Sequence, residues 1–319
     1  MALLAFDLGG TKLATAVFNE EGKIISREIT ALDKTEGDEV GELIVRHFLS
    51  MRDAAMLTGN EIKSIGISVP GIYRIKTGTV WAPNISGWDD YPLLYKIKKV
   101  TGKIPVTIDS DRACYILGEL WKGNAQNCKD AIFLAVGTGI GAGILIDGNV
   151  LRGSHDIAGA IGWMALNKPF SKDYISCGCF EHYTSGEGIA RLAQKFITEQ
   201  NNYSGQLTNK KLEEIDSHDV FNAFENEDEI AEKVIQNCIE YWGMATANLV
   251  SLFNPEKIIF GGGVFGPAVS LIPKIKDEAT KWAQPISIKQ VSFEASGLAT
   301  DAGVYGAGFL ALKNLSEKK

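Results

Sequence analysis

One pattern occurs twice in this 319-residue chain, and it constrains the fold more than any other feature. An apolar run meets a glycine-rich turn carrying threonine, and a second apolar run follows. In the first copy Leu3-Leu4-Ala5-Phe6 stops at Asp7, turns through Gly9-Gly10-Thr11-Lys12 and resumes over residues 13–18. Such runs read as buried strands of a hairpin. Its tip carries an acid, two residues without side chains, a hydroxyl and a lysine. Glycines let a phosphate approach main-chain N–H groups, and successive N–H groups in a turn form an anion-binding concavity. Asp7 would repel a bare polyphosphate there, so the combination makes sense with a divalent cation in between. Taken alone, the hairpin is equally a tight turn with a solvated acid and lysine.

The second copy decides between them. Residues 131–136 form another apolar run, followed by Gly137-Thr138-Gly139-Ile140-Gly141 and the apolar residues 142–146. Asp147-Gly148-Asn149 then turns the chain back, as Asn19-Glu20-Glu21-Gly22 does after the first copy. A duplicated hairpin argues for two related halves, each offering a loop to the phosphates of one ligand.

Composition sets outer bounds. The length suits two domains, and 45% hydrophobic with 22% charged residues is ordinary for a globular protein. A net charge of −7 argues against sequence-independent binding to nucleic acid or to an acidic membrane. The first residues lack a basic region and the apolar run ends at Asp7, so no signal peptide is expected. The longest uncharged window, residues 131–146, is short for a membrane span and broken by glycines. Five cysteines, an odd number (Cys114, Cys128, Cys177, Cys179, Cys238), suit a reducing compartment, and the cytoplasm is expected.

Along the chain, residues 22–30 read as a third strand and 38–58 as a helix, with Gly59 beyond its end. His47 lies on that helix's apolar face and reads as a core residue, not a ligand. Residues 65–69 form a strand ending in Pro70-Gly71, and ligands of open α/β sheets bind at such edges. The loop 80–88, with Trp81, Asn84 and Trp88, is either ordinary packing or a sugar-binding loop. The strand 104–108 delivers Asp109-Ser110-Asp111 to a helix that buries Cys114, Leu117 and Trp121. Acids there cap the helix or stand as a base at the sheet edge, and Asp111 is read as doing both. Three glycines within residues 152–164 suggest closely packed backbone. Cys177-Gly178-Cys179 has no matching pair, and with His155 and His182 it gives only a weak zinc pattern. Helices are expected over 187–199, 229–252, 268–282 and 304–312, strands over 257–260 and 286–293, and short surface helices over 200–228. Gly261-Gly262-Gly263 at a strand end suits a flat ring such as adenine, or is a plain turn. The chain lacks G-x-x-x-x-G-K-[ST], H-E-x-x-H and G-x-S-x-G, and Gly137-x-Gly139-x-x-Ala142 runs into a strand, not the helix a dinucleotide site needs.

These residues together resemble the ROK family of sugar kinases and repressors, within the actin/Hsp70/hexokinase ATPase superfamily. The likeness spans nearly the whole chain: residues 7–12, Val69-Pro70-Gly71, Ala82-Pro83-Asn84, Ser110-Asp111, Gly118-Glu119, residues 137–141, Ala158-Gly159, residues 178–181, Asn254-Pro255, residues 261–263 and Asp301-Ala302-Gly303. The resemblance implies two actin-like (ribonuclease H-like) α/β domains, each on a mixed sheet, around a central cleft. Their expected extents are 1–112 with 301–319, and 113–300. It implies ATP with Mg²⁺ and a sugar or polyol acceptor. Gly9, Gly10, Thr11 and Lys12 then lie along the phosphates, Asp7 holds Mg²⁺ through water, Thr138 and Gly139 cradle phosphates, and Gly262 and Gly263 face the adenosine. Asp111 matches the family's general base.

The chain also departs from the family pattern. Ser110 stands where the family has Asn. The A-G-E-I-G-H motif reads Ala158-Gly159-Ala160-Ile161-Gly162-Trp163, replacing the Glu and His that touch sugar hydroxyls. The zinc loop is cut down to Cys177, Cys179 and Glu181, so structural zinc is expected to be absent. Asn84, Ser110, Asp111, Ala160, Trp163 and Glu181 are the expected sugar contacts. A site built on particular hydroxyls discriminates strongly, so room at Ala160 points to a substituted sugar, amino sugar, glycoside or cyclitol. The expected function is an ATP-dependent kinase of a hexose-like sugar, glucokinase-like, working as a homodimer. The alternatives are a sensor without turnover, against which Asp7 and Asp111 weigh, and a repressor, which needs a DNA-binding helix-turn-helix before the first strand.

Overall fold

In the computed structural model, which describes residues 1–33, 35–57, 59–200 and 202–316, each glycine hairpin begins a five-stranded mixed sheet. The chain divides into two units, residues 1–127 with 150–158 and 301–319, and residues 128–149 with 159–300.

In the first unit β1 (Ala2–Leu8) and β2 (Lys12–Phe18) pair antiparallel, and β2 pairs with β3 (Ile24–Ala31). Helix α1 (Gly37–Leu57) buries Val40, Leu43, Ile44, Phe48 and Met51 on one face. Phe48 is 1% exposed, and burial of such a side chain contributes about 1.5–3 kcal/mol. His47 belongs to the same face, buried, its Nε2 3.1 Å from Thr30 Oγ1. Thr58, the expected last residue of this helix, lies outside the described residues. Strand β4 (Ile62–Val69) joins β1 in parallel. A small hairpin of β5 (Ile72–Arg74) and β6 (Thr79–Trp81) and helix α2 (Leu93–Thr101) lead to β7 (Val106–Ser110), parallel to β4, and to helix α3 (Asp111–Lys122). The order is β3-β2-β1-β4-β7. The central strands are apolar along their length because both faces are covered. The edge strand β3 is largely exposed and carries Arg27 and Glu28, charges that discourage further pairing.

The second unit repeats the plan. Strands β8 (Ala131–Val136), β9 (Ile140–Ile146) and β10 (Asn149–Val150) form the meander. Helices α4 (Cys179–Thr184), α5 (Gly186–Glu199), α6 (Ser217–Glu225) and α7 (Glu229–Phe253) follow, then β11 (Lys257–Gly261), α8 (Ile272–Thr280), α9 (Ser287–Gln290) and β12 (Ser292–Ala295). The order is β10-β9-β8-β11-β12, with β8, β11 and β12 parallel. The long helix α7 starts at Asp228, whose side chain accepts from Ile230 N and Ala231 N, and ends at Asn254 in a left-handed conformation. The chain closes with α10 (Ala302–Ser316), which packs in the first unit, where Leu310 meets Cys114 and Leu117 of α3.

Three expectations are corrected. Residues 286–293 are not one strand: the Gln284 side chain accepts from Ile286 N and Ser287 N, which starts the turn α9 and leaves β12 only four residues. The helix expected over 268–282 opens as a 3₁₀ segment (Pro267–Leu271) before α8, with prolines in both first turns. Helix α4 was absent from the expectation because six residues are too few to show a period. No helix among the described residues is long and apolar enough to cross a membrane.

Candidate functional site

The first unit gathers its chemistry at one sheet edge. Asp7 on β1 pairs with Ser68 on β4, which pairs with Asp109 on β7, so the three parallel strands end side by side. Beyond Asp7 the turn closes with Gly9 N donating to Lys12 O at 2.9 Å. Gly10, Thr11 and Lys12 are exposed. Asn84 is exposed too, and its Cβ would lie 3.5 Å from a Cβ placed on Gly10. Trp88 settles the two readings of its loop for its own ring. It is 1% exposed, stacked on Tyr91 at 4.3 Å and 7°, and donates Nε1–H to Gly37 O at 2.7 Å. It is core, whereas Trp81 on β6 is half-buried.

The capping expected of Asp111 falls to its neighbour. Ser110 caps α3, its Oγ accepting from Ala113 N. Asp111 opens the helix, and its Oδ1 accepts the Arg112 N–H at 2.7 Å. Burial pushes the Asp111 carboxyl up to about 6; Arg112's charge and N–H pull against that, and Asp7 adds to the rise. Burial also raises Asp7, opposed by the nearby Ser68 hydroxyl and Lys12 and reinforced by Asp301. A Cβ at Gly303, in the first turn of α10, would stand 2.3 Å from Asp7 Oδ2, so the acid lies against that helix's positive end. Hard carboxylate oxygens whose charge burial opposes are the donors magnesium takes alongside phosphate and water, so this corner fits the ion.

Sequence reasoning missed two arginines here. Arg152 pairs with the buried Asp109, and Arg112 Nη2 donates to Gly71 O at 3.2 Å, bracing the Pro70-Gly71 bend. Arg152 is 43 residues from its partner, with no local pattern to announce it.

In the second unit β8 ends at Val136 and the turn closes with Gly137 N donating to Gly139 O at 2.9 Å. Thr138 and Gly139 are exposed. Strand β11 delivers Gly261 opposite Ala135, and the exposed Gly262 and Gly263 follow. Gly262 has φ of 88°, and a Cβ there would meet Val136 O at 2.4 Å, so only glycine fits. Gly263 N is the nearest atom to a Cβ on Gly137, at 3.9 Å, which puts the triple glycine beside the turn. Glu181, in the first turn of α4, reaches the same place: Oε2 accepts the Ile140 N–H at 2.6 Å. Burial raises its carboxyl, and that N–H lowers it.

Ala160 is half-buried ahead of the 3₁₀ turn Ile161–Trp163. Trp163 is 57% exposed. A Cβ on Gly162 would approach Glu181 Oε2 to 2.9 Å, and one on Gly178 would approach Trp163 Cα to 2.6 Å; residues 160–163, 178 and 181 therefore form one patch. Cys179 is buried in α4, Cys177 is half-buried, and the His182 ring packs edge-on to Tyr174 and Tyr183. Among the described residues no three His, Cys, Asp or Glu side chains gather as metal donors.

The ROK family model matches residues 3–314. A glucokinase of Halalkalibacterium halodurans is 34% identical over 311 residues, covering 95% of this chain and 93% of that protein. A xylose repressor of Caldicellulosiruptor bescii is 29% identical over 310 residues, covering 96% of this chain and 76% of the repressor. Among solved structures, a ROK family glucokinase from Streptomyces griseus in complex with glucose and AMPPNP is similar with a TM-score of 0.79 and 27% identity, over 98% of this chain and 100% of that chain.

Proposed function

The chain belongs to the ROK family and has its actin-like ATPase fold, and from that premise we propose that it is an ATP-dependent kinase. It transfers the γ-phosphate to a hydroxyl of a hexose or hexose-like sugar. The observation that carries this reading is Asp111, a carboxyl group raised to about 6 at the strand edge that also holds Asp7. Ionised at neutral pH, it takes the proton from the attacking hydroxyl as that oxygen bonds to the γ-phosphorus. The bond from phosphorus to the ADP oxygen breaks, and ADP leaves with its electron pair. Phosphoryl transfer asks the protein mainly for positioning and charge neutralisation, and a placed base adds on the order of 10²–10⁴.

Gly9, Gly10, Thr11 and Lys12 of the first unit and Thr138 and Gly139 of the second contact phosphates in this reading. Gly262 and Gly263 offer bare backbone to the adenosine. Asp7 would hold Mg²⁺ through water, and the ion supplies neutralisation of phosphate charge. Asn84, the Ser110 hydroxyl, Glu181 and Trp163 serve the acceptor, and the small Ala160 leaves room for a substituent. The reading extends to a cytoplasmic homodimer. Two acids retained at the sheet edge favour turnover over sensing, and over a repressor's role like that of the xylose relative.

A coupled assay with ATP across hexoses, amino sugars, glycosides and cyclitols tests this. Turnover of at least one acceptor is expected. Binding of an ATP analogue with no acceptor turned over at micromolar enzyme would replace the kinase with a sensor.

A further inference from the structure

The Glu181 carboxylate belongs to the glycine turn as much as to the sugar patch. Its Oε2 holds the Ile140 N–H at 2.6 Å, the short distance of a charge-assisted bond. A Cβ on Gly139 or on Gly162 would come within 2.9 Å of that same oxygen, so backbone closes over it from both sides. Ile140 is the first residue of β9, and its N–H therefore fixes where the Thr138-Gly139 backbone enters the strand. The element that carries the carboxylate is itself anchored: Phe180 beside it is fully buried, and His182 N donates to Gly178 O at 3.0 Å. Among the described residues Oε1 accepts no hydrogen bond.

We propose that Glu181 is a positioning residue that sets the Thr138-Gly139 turn for the nucleotide phosphates through Oε2, while Oε1 receives an acceptor hydroxyl. One carboxylate then joins the two ligands. By reciprocity, an acceptor bound at Oε1 tightens nucleotide binding by the factor with which nucleotide tightens the acceptor. The inference rests on the kinase reading.

Calorimetric titration of a non-hydrolysable ATP analogue without sugar separates the roles. Glu181→Ala is expected to weaken the analogue about tenfold, the loss of one hydrogen bond to a charged group. Glu181→Gln keeps a carbonyl oxygen for Ile140 N–H. It is expected to hold the analogue's affinity within about threefold while raising the KM for the acceptor at least about tenfold. A residue that only touches sugar would leave sugar-free nucleotide affinity unchanged in both variants, and that result overturns the proposal. Should Glu181→Ala not fold, the Ile140 amide carries the test. In ¹⁵N-labelled protein its proton is expected downfield and shifts upfield in Glu181→Gln; an unmoved resonance overturns the proposal. A wild-type chain that binds no analogue refutes the kinase reading itself, a result distinct from equal binding by all three proteins.

Discussion

As the base proposed above, Asp111, its carboxyl raised to about 6, would tie the reaction to pH in a definite direction. A base is active when ionised, so kcat/KM is expected to fall about tenfold per unit below that value and to level off above it. Asp111→Asn should cut kcat by roughly 10²–10⁴ and remove this limb, leaving analogue binding nearly unchanged; initial rates from pH 4.5 to 8 check both. Stability runs the other way. The folded carboxyl titrates above the ordinary value of 3.8, so its favourable contribution is complete below 3.8 and lost as pH rises through about 6. Melting curves of Asp111→Asn should show a larger gain over wild type at pH 7.5 than at pH 5. At the acceptor patch, Ala160→Glu with Trp163→His should shift preference towards unsubstituted hexoses. An unchanged acceptor profile would remove both residues from the sugar.

Among the elements, the contact between α10 and β1 leaves little room beside Asp7. Gly303 leaves no space for a methyl group against Asp7. Gly303→Ala is therefore expected to lower kcat at least about tenfold and to raise the magnesium concentration for half-maximal rate, read by magnesium titration. The sequence made such elements legible unevenly. The duplicated hairpins, α1, α5, α7 and the sheet edge near Asp7 and Asp111 were readable because their cues are local: periodicity, a glycine break, a cap. Helix α4 was too short for a period, α9 depends on a side-chain cap from Gln284, and Trp88 needed Tyr91 and Gly37 to declare itself core. The Asp109–Arg152 pair and the Glu181–Ile140 bond join residues more than 40 apart, and no spacing rule exposes such partners.

At the scale of the molecule, two sheets share one strand order, and the candidate residues fall in both units. ATP analogue and acceptor together are then expected to raise the melting temperature beyond the larger of the two separate shifts. A ligand at 100 times its Kd adds about 2.7 kcal/mol, and reciprocal coupling adds to that. Differential scanning fluorimetry with each ligand and with both checks it; a combined shift no larger than the bigger single one would mean mutually exclusive binding.

The placement of α10 with the first unit carries a consequence for biosynthesis. A ribosome would release every strand of both sheets before the helix that covers Leu3, Ala5 and Ala16. The unit begun first is thus finished last. Until then its bare apolar surface is a hazard for the nascent polypeptide, and a client patch for chaperones.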